Sequence, residues 1–411
     1  MSNQFDLVIV GGGMVGSALA SALANTQLSI ALIETHIPTA PQSDIQTLDD
    51  VDVRVSALNR ASENFLNAVG AWQAISSSRR SHYNKMRVWD GEGTGHIQFS
   101  ATEMGESHLG CIVENRVTAS ALFQQLQNQS NLRVYAPNTV KEIETVTLDD
   151  SEQVQHYIHL DDGQVLFSPL IVAADGARSF VRQWAEFSTR EWDYGHHGLV
   201  CTIETERSHE DCAWQRFTET GVLAFLPLNS SSEKNLVSIV WSCPEEQANR
   251  LLALTEDEFN KELARAFEYK LGAVLASGPR AAIPLRQRHA KRYIKPGVVL
   301  VGDAAHTIHP LAGQGVNLGL MDAYVLADEI KLGHKRGIAP SNEQLLSRYE
   351  RRRMPENLTM MAMMESFKRL FAQTSPALRW IRNWGMSKVN QLGFIKNHIV
   401  QEAMGLKRDI R

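Results

Sequence analysis

The chain has 411 residues, 43% of them hydrophobic and 21% charged, with a formal net charge of -5, a composition that describes a globular enzyme of more than one core and excludes a disordered or fibrous chain. That mild acidity provides no clustered basic surface for nucleic acid. Cys111, Cys201, Cys212 and Cys243 lie far apart with none of the short spacings of a zinc site or a disulfide framework, so reduced thiols in a cytoplasmic protein are expected.

Leu7 to Val10 is an apolar run followed at once by three glycines, too short and too abruptly ended for a signal-peptide core. No other stretch approaches the roughly 20 apolar residues of a bilayer-spanning helix, so any membrane contact is expected to be peripheral. Residues 5–34 read as strand, glycine turn, helix and second strand, with Val15, Leu19, Ala22 and Leu23 at helical spacing. Gly11, Gly13 and Gly16 form GxGxxG in the setting that the motif requires: one glycine for the tight turn, one for approach to a pyrophosphate, one for helix packing. The helix N-terminus offers free N–H groups and a positive dipole to phosphate. Glu34, at the end of the second strand, is spaced to accept hydrogen bonds from ribose hydroxyls. At this point FAD and NAD both remain open.

Residues 170–182, LIVAADGARSFVR, form a second apolar strand that ends in Asp175-Gly176. A third strand over 298–301 carries Asp303 at its carboxyl end, and after Pro310 the Gly313-Gln314-Gly315 turn opens a helix through Val316, Asn317, Leu318, Met321, Val325, Leu326 and Ile330. GGGMVG, ADGARSFVR and GDAAHTIHPLAGQGVNLG, in this order, resemble the three fingerprints of the para-hydroxybenzoate hydroxylase-like flavin monooxygenases. DVRVSALN, VEN, WQRFTETGVLAFLPL and RRRMPEN extend the likeness to the branch of ubiquinone-biosynthesis hydroxylases.

The resemblance implies an α/β fold: a Rossmann-like FAD-binding domain interleaved with a mainly antiparallel β-sheet substrate domain, plus a helical C-terminal region. It divides the chain into a discontinuous FAD-binding domain (1–75, 100–185 and 285–345), a substrate domain (76–99 and 186–284) and helices over 346–411. It further implies that Asp303 holds the flavin's ribityl chain, that Asp175 and Gly176 support FAD and transient NAD(P)H, and that Arg54 and, less firmly, Arg116 lie near the flavin and its pyrophosphate. The Pro310–Gly315 turn is expected against the isoalloxazine ring, with the N–H groups of Gly315 to Asn317 facing its N1–C2=O edge, where a helix N-terminus favours the negative charge of the reduced flavin.

The implied activity is hydroxylation of a polyprenylated phenol or benzoquinol by O2 through a flavin C4a-hydroperoxide, which needs a dry pocket more than a catalytic side chain. His306 and His309 flank the flavin loop within the titration range of a proton shuttle, but the reading taken is that His306 orients the loop, and neither is assigned as a base. Strand-like runs over 192–243 supply Trp192, Trp214, Phe217, Phe225 and Trp241; singly each reads as core, and as a set they are expected to line an apolar pocket over the flavin. Five methionines between Met354 and Met364, and an apolar face from Met386 to Leu406, leave three readings open: packing on the protein's own core, docking on the inner membrane face, or contact with other pathway proteins. The run Arg348, Arg351, Arg352 and Arg353 reads by default as a solvated charge cluster. Two other functions stand beside the main one: a hydroxylase of small soluble phenols, and a flavin-binding scaffold of a biosynthetic complex.

Overall fold

A computed structural model describes residues 3–41, 45, 47–147, 154–230, 235–307, 315–371 and 383. The N-terminal strands β1 (Leu7–Val10) and β2 (Ile30–Ile33) are buried at every residue, as the strands of a parallel sheet covered on both faces must be. They join β8 (Leu132–Tyr135), β12 (Ile171–Ala173), β19 (Ile294–Lys295) and β20 (Val298–Leu300) in the order β19-β20-β12-β1-β2-β8, parallel except for the β19 edge. The chain runs from β1 outward to β2 on one side and returns to β12 on the other. Such a reversal of strand order opens a crevice at the carboxyl ends of the strands.

Helix α1 (Met14–Ala22) follows β1. It packs against α4 (Asn115–Leu126) and α8 (Gly315–His334). Asn317, Leu318, Met321, Val325, Leu326 and Ile330 are all buried, and α8 is buried on most of its circumference because it runs through the core rather than along a surface. Between these lie α2 (Arg60–Ala68), α3 (Ala71–Ala74) and the antiparallel sheet of β3 (Val55–Asn59), β7 (Gly110–Glu114) and β4 (Ser81–Tyr83). A further three-stranded sheet, β9 (Val140–Thr147), β10 (Val154–Leu160) and β11 (Val165–Ser168), packs into the same core, and α5 (Phe180–Trp184) follows β12.

The second large sheet has nine strands. Its order is β21 (His306–Thr307), β18 (Ala281–Ala290), β13 (Thr189–Thr205), β16 (Leu236–Pro244), β15 (Gly221–Leu228), β14 (Cys212–Thr218), β5 (Lys85–Asp90), β6 (His96–Ser100), with β17 (Val274–Ser277) also on β13. Its pairings are antiparallel except between β14 and β5. One face is covered by α6 (Glu245–Ala253) and α7 (Glu256–Ala266). Along these strands side chains alternate between faces, so Ala213, Ala224, Leu226 and Val240 lie opposite the helices, where they pack on Ala57 of β3 and Ile112 of β7. This inner face joins the two sheets. Helix α9 (Glu343–Phe371) crosses α8 and ends with Phe371 stacked on Phe217 at 4.0 Å between ring centres. The apolar face expected from Met386 to Leu406 lies outside the described residues.

Candidate cofactor site

The three motif turns meet. Gly11–Gly13 follows β1, Asp175–Gly176 follows β12 and Gly302–Asp303 follows β20, three adjacent parallel strands whose last residues are in register: Val10 beside Ala173, and Ala173 beside Leu300. Gly11 has φ +102°, and a Cβ there would meet the Ala174 carbonyl oxygen at 2.4 Å, while one on Gly16 would meet the Gly11 carbonyl oxygen at 1.9 Å. These two glycines let the protein close on itself. Gly13 differs: it is the N-cap of α1 without a side-chain cap, and a Cβ there meets nothing within 4 Å. The space beside Gly13, at the uncapped start of α1, is therefore open, as the approach of a phosphate to a helix N-terminus requires.

Carboxylates ring this opening. Glu34 accepts from the Gly12 N–H at 2.5 Å and from the His36 N–H at 2.9 Å, which sets it at the mouth of the glycine turn. Asp175 accepts from the Val181 N–H at 3.1 Å through one oxygen, while its Oδ1 is buried without a partner. Burial raises the Asp175 carboxyl above its ordinary value, against the lowering pull of Ser179 and the Val181 N–H. Asp303 is exposed at the surface of the crevice, yet protein surrounds it closely enough that desolvation raises it too, with His306 and Arg54 pulling the other way. An orphaned buried carboxylate oxygen beside an open phosphate cradle fits a polyhydroxylated dinucleotide, whose hydroxyls are donors.

Arg54 is exposed and close enough to Asp303 to act on it electrostatically. Arg116, in the first turn of α4, is instead committed to Glu114 at 3.1 Å and to the Asp50 carbonyl. At the start of α8, Gly315 has open space where a Cβ would point, and Val316 is half-buried. The Asn317 side chain is a tie: it donates to the Ala57 carbonyl at 2.8 Å and accepts from the Asn59 N–H at 3.0 Å and the Ser62 hydroxyl at 2.7 Å. Its side chain is thus committed to β3 and α2. His309, Pro310 and Gly313 lie outside the described residues.

His306 is buried, its Nε2 2.6 Å from Asp322 Oδ2. Asp322 also accepts from the Gly302 N–H at 3.0 Å, from Arg353 Nε at 2.7 Å and from Asn357 Nδ2 at 3.2 Å. Burial alone works against its ionisation, but His306 and Arg353 outweigh that and hold its carboxyl well below the usual range. Asn357 continues the network to the Tyr293 hydroxyl at 3.1 Å, which meets His289 Nε2 at 3.1 Å. His306 is thus linked through Asp322 to Gly302, the residue before Asp303. Sequence reasoning missed Asp322 and Asn357 and read Arg353 as solvated; the spacing Leu346, Tyr349, Arg353, Asn357, all buried on one helical face, was the available signal. Arg348 and Arg352 pair with Glu329, and Arg352 also with Asp328.

The aromatic pocket requires correction. Trp214, Phe225 and Trp241 point to the helix-covered side of the nine-stranded sheet, where Phe225 stacks on Phe267 at 3.5 Å and Trp214 packs edge-on to Trp89. A 290 Å³ cavity on that side is lined by Trp241, Arg216, Glu262 and Arg265, away from the crevice. Trp192 is 47% exposed. Of the five aromatics only Phe217 lies on the inner face, with Val88, Ile97, Val222 and Phe371. Alternation within β14 is the reason: Phe217 is an odd number of residues from Trp214, so the two cannot share a face.

Comparison with known proteins extends this picture. Residues 4–363 match the family described as FAD binding domain. The chain is 37% identical over 409 residues to 3-demethoxyubiquinol 3-hydroxylase of Escherichia coli K12, covering 99% of this chain and 100% of the relative. It is 35% identical to ubiquinone hydroxylase UbiL of Rhodospirillum rubrum, covering 97% and 89%. Among solved structures, p-nitrophenol 4-monooxygenase PnpA of Pseudomonas putida superposes with a TM-score of 0.78 at 18% identity, covering 100% of both chains, and PqsL of Pseudomonas aeruginosa with 0.73 at 20%, covering 93% and 100%. The chain therefore belongs to the FAD binding domain family, as an FAD-dependent monooxygenase of the ubiquinone-biosynthesis hydroxylase branch.

Proposed function

We propose that this protein hydroxylates the ring of a polyprenylated phenol or benzoquinol in ubiquinone biosynthesis, using O2 and NAD(P)H. The observation that carries the reading is the convergence of three glycine- and aspartate-bearing turns at the carboxyl ends of β1, β12 and β20, beside the N-terminus of α8. In this reading residues 1–75, 100–185 and 285–345 hold the cofactor, and 76–99 and 186–284 hold the substrate.

Bound FAD, reduced by NAD(P)H, supplies the activation of oxygen and its transfer to an electron-rich ring carbon ortho or para to a hydroxyl. The chain's own groups bind and orient. Gly13 and the N–H groups of α1 cradle the pyrophosphate. Glu34 and Asp303 accept from ribose and ribityl hydroxyls, Asp175 keeps a free acceptor oxygen, and Arg54 offers positive charge beside Asp303. The first N–H groups of α8, at Gly315 and Val316, favour negative charge on the reduced ring. The apolar inner face around Phe217 keeps water from the reacting atoms. No helix among the described residues is long and apolar enough to cross a membrane; the methionine-rich stretch of α9, with Met363 and Leu370 exposed, supports peripheral contact with the inner membrane face or with another pathway protein as the route by which a lipid-tailed substrate arrives.

Deleting the gene and extracting the lipids tests the reading by mass spectrometry. A quinone precursor lacking one ring oxygen is the expected result, and it names the step. Unchanged ubiquinone overturns the assignment.

A further inference from the structure

We propose that Gln215 is the hydrogen-bonding group that orients the aromatic ring of the substrate. The proposal rests on the hydroxylase reading above. In β14, Gln215 lies between Ala213 and Phe217 on the inner face of the nine-stranded sheet, with Ala224 as its cross-strand partner. Its side chain is 5% exposed, and its Nε2 is enclosed without a hydrogen-bond partner. A buried amide N–H left unmade is an exception among folded proteins, because its desolvation is not repaid. A strand satisfied as a sheet element alone would carry an apolar residue here.

The surroundings indicate what the amide awaits. On one flank Ala213 and Ala224 pack against Ala57 of β3. The Ala57 carbonyl accepts from Asn317, the third residue of α8, so Gln215 stands one packed layer from the helix start expected at the flavin. On the other flank Phe217, Phe371, Val88, Ile97 and Val222 form an apolar wall. A phenol or quinol held on that wall has no polar handle except its own oxygens. One amide suffices to meet them, since it donates through its NH2 and accepts through its carbonyl, and a single hydrogen bond to a ring oxygen decides which ring carbon is presented for hydroxylation. Being neutral at all working pH, the amide makes that orientation independent of pH.

The test is Gln215→Leu, of nearly equal volume, with Gln215→Asn as a shorter amide that does not reach. A farnesylated phenol and a farnesylated benzoquinol serve as probes, and FAD content, KM, kcat, melting temperature and hydroxylated product per NAD(P)H oxidised are measured. If Gln215 orients the ring, the Leu variant keeps its FAD and melts higher, because an unpaired buried amide has been removed. Product per NAD(P)H then falls about tenfold, the worth of one hydrogen bond, with hydrogen peroxide making up the difference, and the Asn variant falls similarly. A Leu variant with unchanged coupling and KM overturns the proposal, as does one that melts lower, which would mark Gln215 as structural. A wild-type enzyme that hydroxylates neither probe overturns the hydroxylase reading instead, so the two failures are distinguishable.

Discussion

Arg351, Arg352 and Arg353 are adjacent and chemically identical, yet they meet three different environments. Arg351 is exposed, Arg352 pairs at the surface with Asp328 and Glu329, and Arg353 is 1% exposed with its guanidinium on Asp322 and Asn357. Removing one partner of a buried pair leaves the other charge desolvated, a loss of about 3–5 kcal/mol, whereas an exposed charge contributes about 0.5 kcal/mol or less. Arg353→Met is therefore expected to lose several kcal/mol in chemical denaturation and to release FAD, because Asp322 also holds the Gly302 N–H next to Asp303. Arg351→Met should leave both unchanged. A run of arginines in a sequence carries no mark of which one turns inward; only its place on the helical face of Leu346 and Tyr349 does.

At the scale of elements, α8 is positioned by a close contact rather than by its own propensity. A Cβ on Gly319 would lie 2.8 Å from Val15 Cγ2 and 3.3 Å from the Gly302 Cα, so this glycine lets α8 lie against both α1 and the turn that bears Asp303. Gly319→Val should push the helix off both neighbours, with an overpacking loss of about 1–3 kcal/mol. The variant is expected to melt lower and to purify with less bound flavin, measured by absorbance; wild-type flavin content would show that α8 tolerates the shift. In the sequence Gly319 reads as one more residue of a glycine-rich motif. That a helix passes there, and against what, follows from three elements distant in the chain.

Across the whole molecule, buried histidines link the sheets. His156 of β10, 1% exposed, reaches the Gly297 carbonyl at 3.0 Å and Thr145 at 2.8 Å; His289 of β18, 4% exposed, meets Tyr293. Burial lowers both from 6.5 to about 4. A histidine so depressed is neutral in the fold, while in the unfolded chain it takes up a proton near pH 6.5. Between these values the unfolded state binds more protons, so stability is complete above about pH 6.5 and is lost as pH falls towards 4, by up to about 3 kcal/mol for His156. Asp322, depressed further, adds its loss only below the ordinary carboxylate range. The melting temperature should accordingly drop between pH 6.5 and 4.5, and the drop should shrink in His156→Gln. An equal drop in that variant would show that His156 does not carry it.

By itself the sequence determined the local devices: a buried strand before each glycine or aspartate turn, a helix after the first and third, and the family to which three such turns in that order belong. These are short-range consequences of backbone geometry, legible wherever glycine and a four-residue apolar run stand together. Only the tertiary structure decided which way the side chains of the second sheet face. Alternation predicts two faces but not what covers each, and here both faces are buried, one by α6 and α7 and the other by β3 and β7. Hydrophobicity is then the same on both sides, so Trp214 and Phe217 read alike in the sequence, although one packs beneath α6 and α7 and the other against Phe371 of α9.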